Sequence, residues 1–464
     1  MRGFPRIPMM RFFLTLLLLL SLALTSPSHA QTNPSSVPCN AFVNDICMPS
    51  TLWMLSGVQN DLFVQPILKR WRPYDDFVRF RLAPDAPFLR RLSTVASITE
   101  PVDGSVLTTE LVNGDEFAIV KELQSTIRVG QPGVGDTPVT AQLLGDSYTQ
   151  GTFFRHALLE SGYVPNLRLV GLLKCADGQY NEGRGGWRLA NYFAVPTQPV
   201  QCYHGFMQPS GDARYWGATQ FWRNAWQCFR QTAPKGFEPY YSCGRFDDAL
   251  PRFDEATGFL LHPAPGDVQF DNDRNAFVRF DGASWQPVDS QELSWDIDYS
   301  KYLDMWDIPQ PDFLFDMLGL NDFCHHLQAD FTEWGKRITR LKESYQKACP
   351  DGKFVICIPC STCGSLDNAE GNFTLRQNAA MWRFRKWLID TFDRREQEGF
   401  YLVDVGITID NEYGYHLTQS AVTIPYEQYS GKDTLRVQAG TPHPYANYPS
   451  MGLPIAAFIQ AHRR

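Results

Sequence analysis

From Val139 onward the chain alternates short, nearly continuous apolar runs with longer stretches in which apolar residues recur every three or four positions. The runs fall at Val139–Leu144, Leu169–Leu173, Phe313–Leu318, Phe354–Ile358 and Tyr401–Val405. Between the later runs, Leu327, Phe331, Trp334, Ile338, Leu341 and Tyr345 step by four and three, which sets one apolar face along a helix. Met381, Phe384, Leu388 and Phe392 repeat that pattern in the next helix. Uninterrupted apolar strands separated by amphipathic helices imply a parallel sheet covered on both faces. The expected fold class is therefore α/β, a three-layer αβα sandwich around a parallel sheet. In such sheets ligands gather at the carboxyl ends of the strands.

Two regions depart from this rhythm. Residues 31–137 show no long helical period, only strand-like runs such as Phe77–Phe80, Phe117–Val120 and Thr126–Val129, broken by turn signals at Asp103-Gly104 and Asn113-Gly114-Asp115. They read as a small β-sandwich-like accessory domain, joined through Gln131-Pro132-Gly133-Val134-Gly135 to a domain covering residues 138–464. The second departure is an insertion at about residues 188–311, with Cys202, Cys228 and Cys243 and with Trp216, Trp222, Trp226, Trp285, Trp295 and Trp306. Within it Phe270 to Phe280 reads as a hairpin around Asp271-Asn272-Asp273-Arg274-Asn275. That turn begins like a calcium loop but lacks its glycine and closing glutamate, so it is read as an ordinary turn. The tryptophans are either sugar-stacking platforms or, more commonly for such an insertion, its core.

Composition narrows the setting. Arg2, Arg6 and Arg11, the apolar run Phe12–Leu24 and Ser28-His29-Ala30 read as a secretory signal over residues 1–30, cleaved before Gln31. An apolar run of that length is short for a bilayer, so no integral membrane segment is expected after cleavage, and the protein is expected to be secreted or periplasmic. The signal holds three arginines and no acid, leaving 39 basic against 50 acidic residues, a net charge near −11. That argues against nucleic acid as a partner. All 11 cysteines lie beyond the signal, so export makes disulfides an expectation, with at least one cysteine left over. Cys360-Ser361-Thr362-Cys363 has no second ligand pair at zinc spacing and reads as a local disulfide or two structural cysteines. Nothing in the sequence calls for a metal or a cofactor.

The candidate chemistry begins where the first run breaks, at Gly145-Asp146-Ser147. A strand, a tight turn and a serine at the mouth of a helix, expected over Thr149–Ser161, lift a hydroxyl to the sheet edge, where backbone N–H groups favour negative charge. Ser147 is thus a candidate nucleophile, or else a helix cap. A nucleophilic serine needs a base and oxyanion donors. After Leu169–Leu173 comes the glycine-rich Asn181-Glu182-Gly183-Arg184-Gly185-Gly186-Trp187-Arg188. After Phe313–Leu318 comes Gly319-Leu320-Asn321-Asp322, and Thr441-Pro442-His443-Pro444 precedes a final helix, Met451 to His462. Each segment alone is a weak signal; their order, each in a loop after a strand, is specific.

In that order the chain resembles the SGNH (GDSL-like) hydrolases, from Val139 to the C-terminus. The family's first block matches Gly145-Asp146-Ser147. The glycine of the second falls on Gly186, with Gly185 the other candidate; the third matches Gly319-Leu320-Asn321-Asp322 and the last His443-Pro444. The resemblance implies Ser147 as nucleophile, His443 as general base, and an oxyanion hole from the Ser147 and Gly186 N–H groups and the Asn321 side chain. It departs from the family at Gly440, where an aspartate usually orients the histidine. A backbone carbonyl, Asp404 or Asp410 would have to take that part, unless catalysis has been lost. The expected function is a secreted serine esterase removing acyl groups, acetyl above all, from carbohydrate. The alternatives are a lipid, phospholipid or general carboxylesterase, and a non-catalytic glycan-binding protein on a degenerate hydrolase fold.

Overall fold

Alternate side chains are buried along Thr51–Met54 and Asn60–Phe63, as the two-residue period of a strand requires, whereas Leu107–Val112 are buried without interruption. The structure is a computed structural model; it describes residues 44–464 outside 71–75, 84–88, 92–93, 151–157, 160, 176, 198–202, 231–244, 325, 362–374, 412–413, 415–416, 423–433, 440–447 and 464. Seven strands come first: β1 (Thr51–Leu55), β2 (Asn60–Phe63), β3 (Asp76–Ala83), β4 (Leu89–Arg91), β5 (Val95–Ile98), β6 (Val106–Asn113) and β7 (Ile119–Gly130). They form one sheet in the order β1-β7-β6-β3 and another in the order β2-β5-β4. Met48, Leu52, Leu62, Phe80, Leu107 and Ile127 share a buried cluster there. The run Phe117–Val120 is strand only from Ile119. Phe117 is exposed with φ 53°, in a turn closed by the Asn113 N–H on the Ala118 carbonyl at 2.9 Å.

The largest sheet has seven strands and carries the site. β8 (Val139–Gly145) lies at its centre, followed by a short helix α1 (Ser147–Gln150). β9 (Leu167–Val170) pairs with the first half of β8; β10 (Leu173–Lys174) leads into β11 (Tyr180–Gly183), which pairs with the last residues of β8. The expected single strand Leu169–Leu173 is thus two, parted at Gly171. β11 is followed by the glycine-rich turn and helix α2 (Leu189–Tyr192).

The insertion builds its own small sheets. β12 (Met207–Pro209) pairs with a strand near the insertion's end, and β13 (Tyr215–Ala218) precedes helix α3 (Thr219–Arg230). β14 (Val268–Asp271), β15 (Ala276–Phe280) and β16 (Trp285–Pro287) complete a sheet with β13; β17 (Trp295–Ile297) is the partner of β12. β14 and β15 make the expected hairpin, and Asp271 Oδ1 caps its turn by accepting from Asp273 N at 2.9 Å. Trp216, Trp222 and Trp306 are buried, and Trp222 stacks on Phe253 at 3.9 Å, so this aromatic density is core. Helix α4 (Tyr299–Trp306) closes the insertion.

The chain then returns to the main sheet through β18 (Phe313–Asp316), helix α5 (Leu320–Phe323), helix α6 (Thr332–Ala348), β19 (Lys353–Ile358), helix α7 (Leu375–Phe392) and β20 (Phe400–Asp404). The sheet order is β10-β11-β8-β18-β19-β20, with β9 beside β8; every pairing is parallel except β10 with β11. The central strands are buried along their length, as in Phe313 to Asp316 and Phe354 to Ile358. In α6, Trp334, Ile338, Leu341 and Tyr345 are buried, with Phe331 just before it. Leu327 is exposed and outside the helix, which starts at Thr332, whose N–H donates to Asp330 Oδ1 at 2.9 Å. A pair of strands, β21 (Leu417–Val422) and β22 (Thr434–Ala439), precedes the final helix α8 (Tyr448–His462). That helix packs on β1, β7 and β20, with Phe458 4.9 Å from Trp53. Asn44–Arg464 form one compact unit of mixed α/β structure. Among the described residues no helix is long and apolar enough to cross a membrane.

Candidate functional site

Local hydrogen bonding decides the role of each residue in the first turn. β8 ends at Gly145, and Asp146 then caps α1: its Oδ1 accepts from Tyr148 N at 2.9 Å and its carbonyl from Gln150 N at 2.9 Å. The capping residue is Asp146, and Ser147 is the first residue of the helix, half-buried. α1 is seated against the next strand end: a Cβ at Gly183 would lie 2.2 Å from Gln150 N, so only glycine allows that approach.

The second and third segments meet at this turn. Gly319, with φ 117° and the Phe384 ring 2.2 Å from any added Cβ, starts α5 and presents Asn321. Asn321 Nδ2 donates to Asp146 Oδ2 at 2.9 Å and to the Trp187 carbonyl at 3.1 Å. The glycine-rich turn is tied to α1 by Gly185 N donating to Gln150 Oε1 at 2.8 Å, and a Cβ on Gly185 would sit 3.9 Å from Ser147 Cβ. The Gly185 N–H is therefore already engaged. The Gly186 N–H has no partner among the described residues, and Gly186 is exposed. Ser147, Gly186 and Asn321 thus share the carboxyl ends of adjoining strands.

The strand that delivers this turn was not visible as an apolar run, because β11 is Tyr180-Asn181-Glu182-Gly183. Asn181 and Glu182 are nonetheless fully buried. Glu182 Oε2 accepts from Arg184 Nη1 at 2.6 Å, its Oε1 accepts from the Tyr302 hydroxyl and from Leu172 N, and Arg184 Nη2 donates to the Tyr203 carbonyl at 2.8 Å. Tyr203 and Tyr302 belong to the insertion, so this ion pair fastens the insertion to the strand that carries the turn.

Three carboxyl groups lie beneath the site. Burial pushes Asp146 up to about 7, with the Asp322 charge adding to the rise and the Tyr148 N–H opposing it. Burial likewise raises Asp322 to about 6, against the pull of the Leu189 N–H, Arg188 and Arg337. Asp316 is raised well above the ordinary carboxylate range by burial, and its Oδ2 has no hydrogen-bond partner among the described residues. Sequence reasoning picked out neither Asp316 nor the Trp187 carbonyl; an aspartate ending an otherwise apolar strand was the available signal.

His443 and Gly440 lie outside the described residues. Of the acids weighed as partners for that histidine, Asp404 is buried and engaged on both oxygens: Oδ2 pairs with Arg385, and Oδ1 accepts from Ile407 N at 3.0 Å. Its carboxylate belongs to the fold. Asp410 lies past the end of β20, its carbonyl accepting from Gly414 N at 2.8 Å.

The disulfide expectation is not met among the described residues. Cys47, Cys324, Cys349 and Cys357 are buried thiols, filling the core as small apolar side chains do. Burial pushes Cys47 and Cys349 up to about 12. Cys202, Cys243 and Cys363 lie outside the described residues. Among the described residues no three His, Cys, Asp or Glu side chains are placed to hold a metal ion together.

No family model matches the sequence, and no curated protein matches it. Solved structures that align with it include a possible lipase from Chitinophaga pinensis, at 10% identity and a TM-score of 0.29, covering 69% of this chain and 97% of that one. A family two carbohydrate esterase from Cellvibrio japonicus aligns at 12% identity and a TM-score of 0.23, covering 78% of this chain and 81% of that one. At these scores the functional reading rests on the site itself.

Proposed function

We propose that the protein is an exported serine ester hydrolase of SGNH type, with a three-layer αβα catalytic domain over residues 138–464 and the β-rich residues 31–137 as an accessory domain. Ser147 attacks an acyl carbonyl while His443 takes its proton and later protonates the leaving alcohol. The oxyanion is held by the Ser147 and Gly186 N–H groups and the Asn321 amide, and water then releases the acyl group. The observation that carries this reading is the junction of Ser147, the Gly185-Gly186 turn and Asn321 at one sheet edge through Asp146, Gln150 and Trp187. The unengaged Gly186 N–H favours Gly186 over Gly185 as the second donor.

The substrate we propose is an acetylated carbohydrate, on the strength of the expected export and the accessory β unit. The buried tryptophans of the insertion lend this choice no support. The test is acetate release from small aryl esters and acetylated glycans, measured beside long-chain esters, for wild type and Ser147→Ala. Acetate release lost in the variant supports the reading. Preference for long acyl chains points to a lipid esterase, and glycan binding without turnover to a degenerate hydrolase.

A further inference from the structure

We propose that Asp146 is a positioning residue for the oxyanion amide: its ionised carboxylate fixes Asn321, so turnover requires Asp146 to be deprotonated as well as a free general base. This rests on the ester hydrolase reading above and extends it to a residue outside the expected catalytic set.

The geometry is a clamp with two ends. Asp146 Oδ1 accepts from Tyr148 N at 2.9 Å, on the helix that bears Ser147, and Oδ2 accepts from Asn321 Nδ2 at 2.9 Å. One carboxylate therefore ties the nucleophile's helix to the oxyanion amide. The other Nδ2 proton points at the Trp187 carbonyl, 3.1 Å away and one residue beyond Gly186. A developing oxyanion takes that second proton while Asp146 keeps the amide from rotating. Both carboxylate oxygens receive an N–H, so a proton on either one sets an O–H against a donor and releases one end of the clamp. A carboxylate accepting from N–H groups makes the stronger, charge-assisted bond, and that strength is lost with its charge.

The surroundings make this loss accessible near neutral pH. Asp146 is fully buried, with Asp322 of α5, Asp316 of β18 and the Cys324 thiol coupled to it electrostatically. Arg188 and Arg337 act on Asp322, and neither is among the groups that act on Asp146. Among the described residues no cation is bonded to Asp146, so nothing of that kind offsets the rise that burial gives its carboxyl.

The experiment measures kcat and KM for p-nitrophenyl acetate against pH with the full chain, in wild type, Asp146→Asn, Asn321→Ala, the double variant and Ser147→Ala. Each required deprotonation steepens the acid limb by about tenfold per pH unit. Wild-type kcat/KM is expected to fall about a hundredfold per unit over the roughly two units in which Asp146 and the base both gain protons, and Asp146→Asn and Asn321→Ala only about tenfold throughout. Asp146→Asn should lower kcat by a factor on the order of 10² with KM little changed, as loss of an oxyanion donor does. Adding it to Asn321→Ala should cost little more, since the two act through one bond. Wild-type kcat in Asp146→Asn, an unchanged acid limb, or additive losses in the double variant overturn the proposal. If Asp146→Asn does not fold, the slope of Asn321→Ala alone decides. A Ser147→Ala variant as active as wild type overturns the hydrolase reading with it, whereas an inactive one beside an unchanged Asp146→Asn profile overturns the clamp alone.

Discussion

Two clusters of buried polar side chains flank β8, and they are built on opposite rules. In the first, Glu182, Arg184, Gln142, Tyr299 and Tyr302 satisfy one another: the carboxylate faces a guanidinium at 2.6 Å, and Gln142 Nε2 donates to the Tyr302 hydroxyl at 2.9 Å while its Oε1 accepts from Tyr299. In the second, Asp146, Asp316 and Asp322 lie together with N–H donors; among the described residues no cation is bonded to them and one Asp316 oxygen lacks a partner. Satisfied buried networks fix a unique packing; unsatisfied buried charge costs stability and persists where it serves a site. The first cluster joins the insertion to the sheet, and the second underlies Ser147 and Asn321. On the proposed function, stability and chemistry are divided between the two sides of one strand.

Arg184→Met should break the first cluster most severely, by leaving Glu182 buried and unpaired, at about 3–5 kcal/mol of unfolding free energy. Urea denaturation measures it, and a loss below about 1 kcal/mol would show that the pair does not hold the insertion. Asn321→Ala should do the reverse at the second cluster, lowering kcat by a factor on the order of 10²–10³ while leaving the urea midpoint nearly unchanged. Near-normal turnover in that variant would remove Asn321 from the oxyanion hole.

The pH dependence separates the clusters further. Asp146 and Asp322 rise from 3.8 when unfolded to about 7 and about 6 in the fold. Across that window the native chain binds more protons than the unfolded one, so their contribution to stability falls as pH rises from about 4 to about 7 and is level above. Asp146→Asn should therefore raise the melting temperature relative to wild type at about pH 8 more than at about pH 5; an equal shift at both would contradict the raised Asp146. The smallest effect belongs to an exposed pair outside both clusters. Asp273→Ala, which breaks a 3.0 Å contact with Arg223, should change stability by less than about 0.5 kcal/mol, as read by thermal unfolding.

What could be read from the sequence followed the same division. The apolar strands β8, β18, β19 and β20 were visible because burial on both faces leaves a continuous apolar record, and the helices around Trp334 and Phe384 because one buried face recurs every three or four residues. β11 was not, since its buried Asn181 and Glu182 break the apolar record: Asn181 is satisfied locally by the Gly183 N–H, and Glu182 by Arg184 and by the distant Tyr302. α6 starts at Thr332, next to the polar Asp330, and not at the apolar step at Leu327. At the site, residue order sufficed to bring Ser147, Gly186 and Asn321 together. It did not show that Asp146 would take the capping position, nor that Gly185 would give its N–H to Gln150, because both depend on which backbone donors the fold leaves open. Asp404 looked like a free strand-end acid until Arg385, from a helix before it, engaged it.

The central claim is that Ser147 is an activated nucleophile. The direct measurement is intact-protein and peptide mass spectrometry after incubation with a serine-reactive fluorophosphonate. One adduct on the peptide containing Ser147, absent from Ser147→Ala and slowed in Asn321→Ala, is the predicted result. A wild-type protein left unlabelled at Ser147 while it still hydrolyses an aryl acetate would contradict the account.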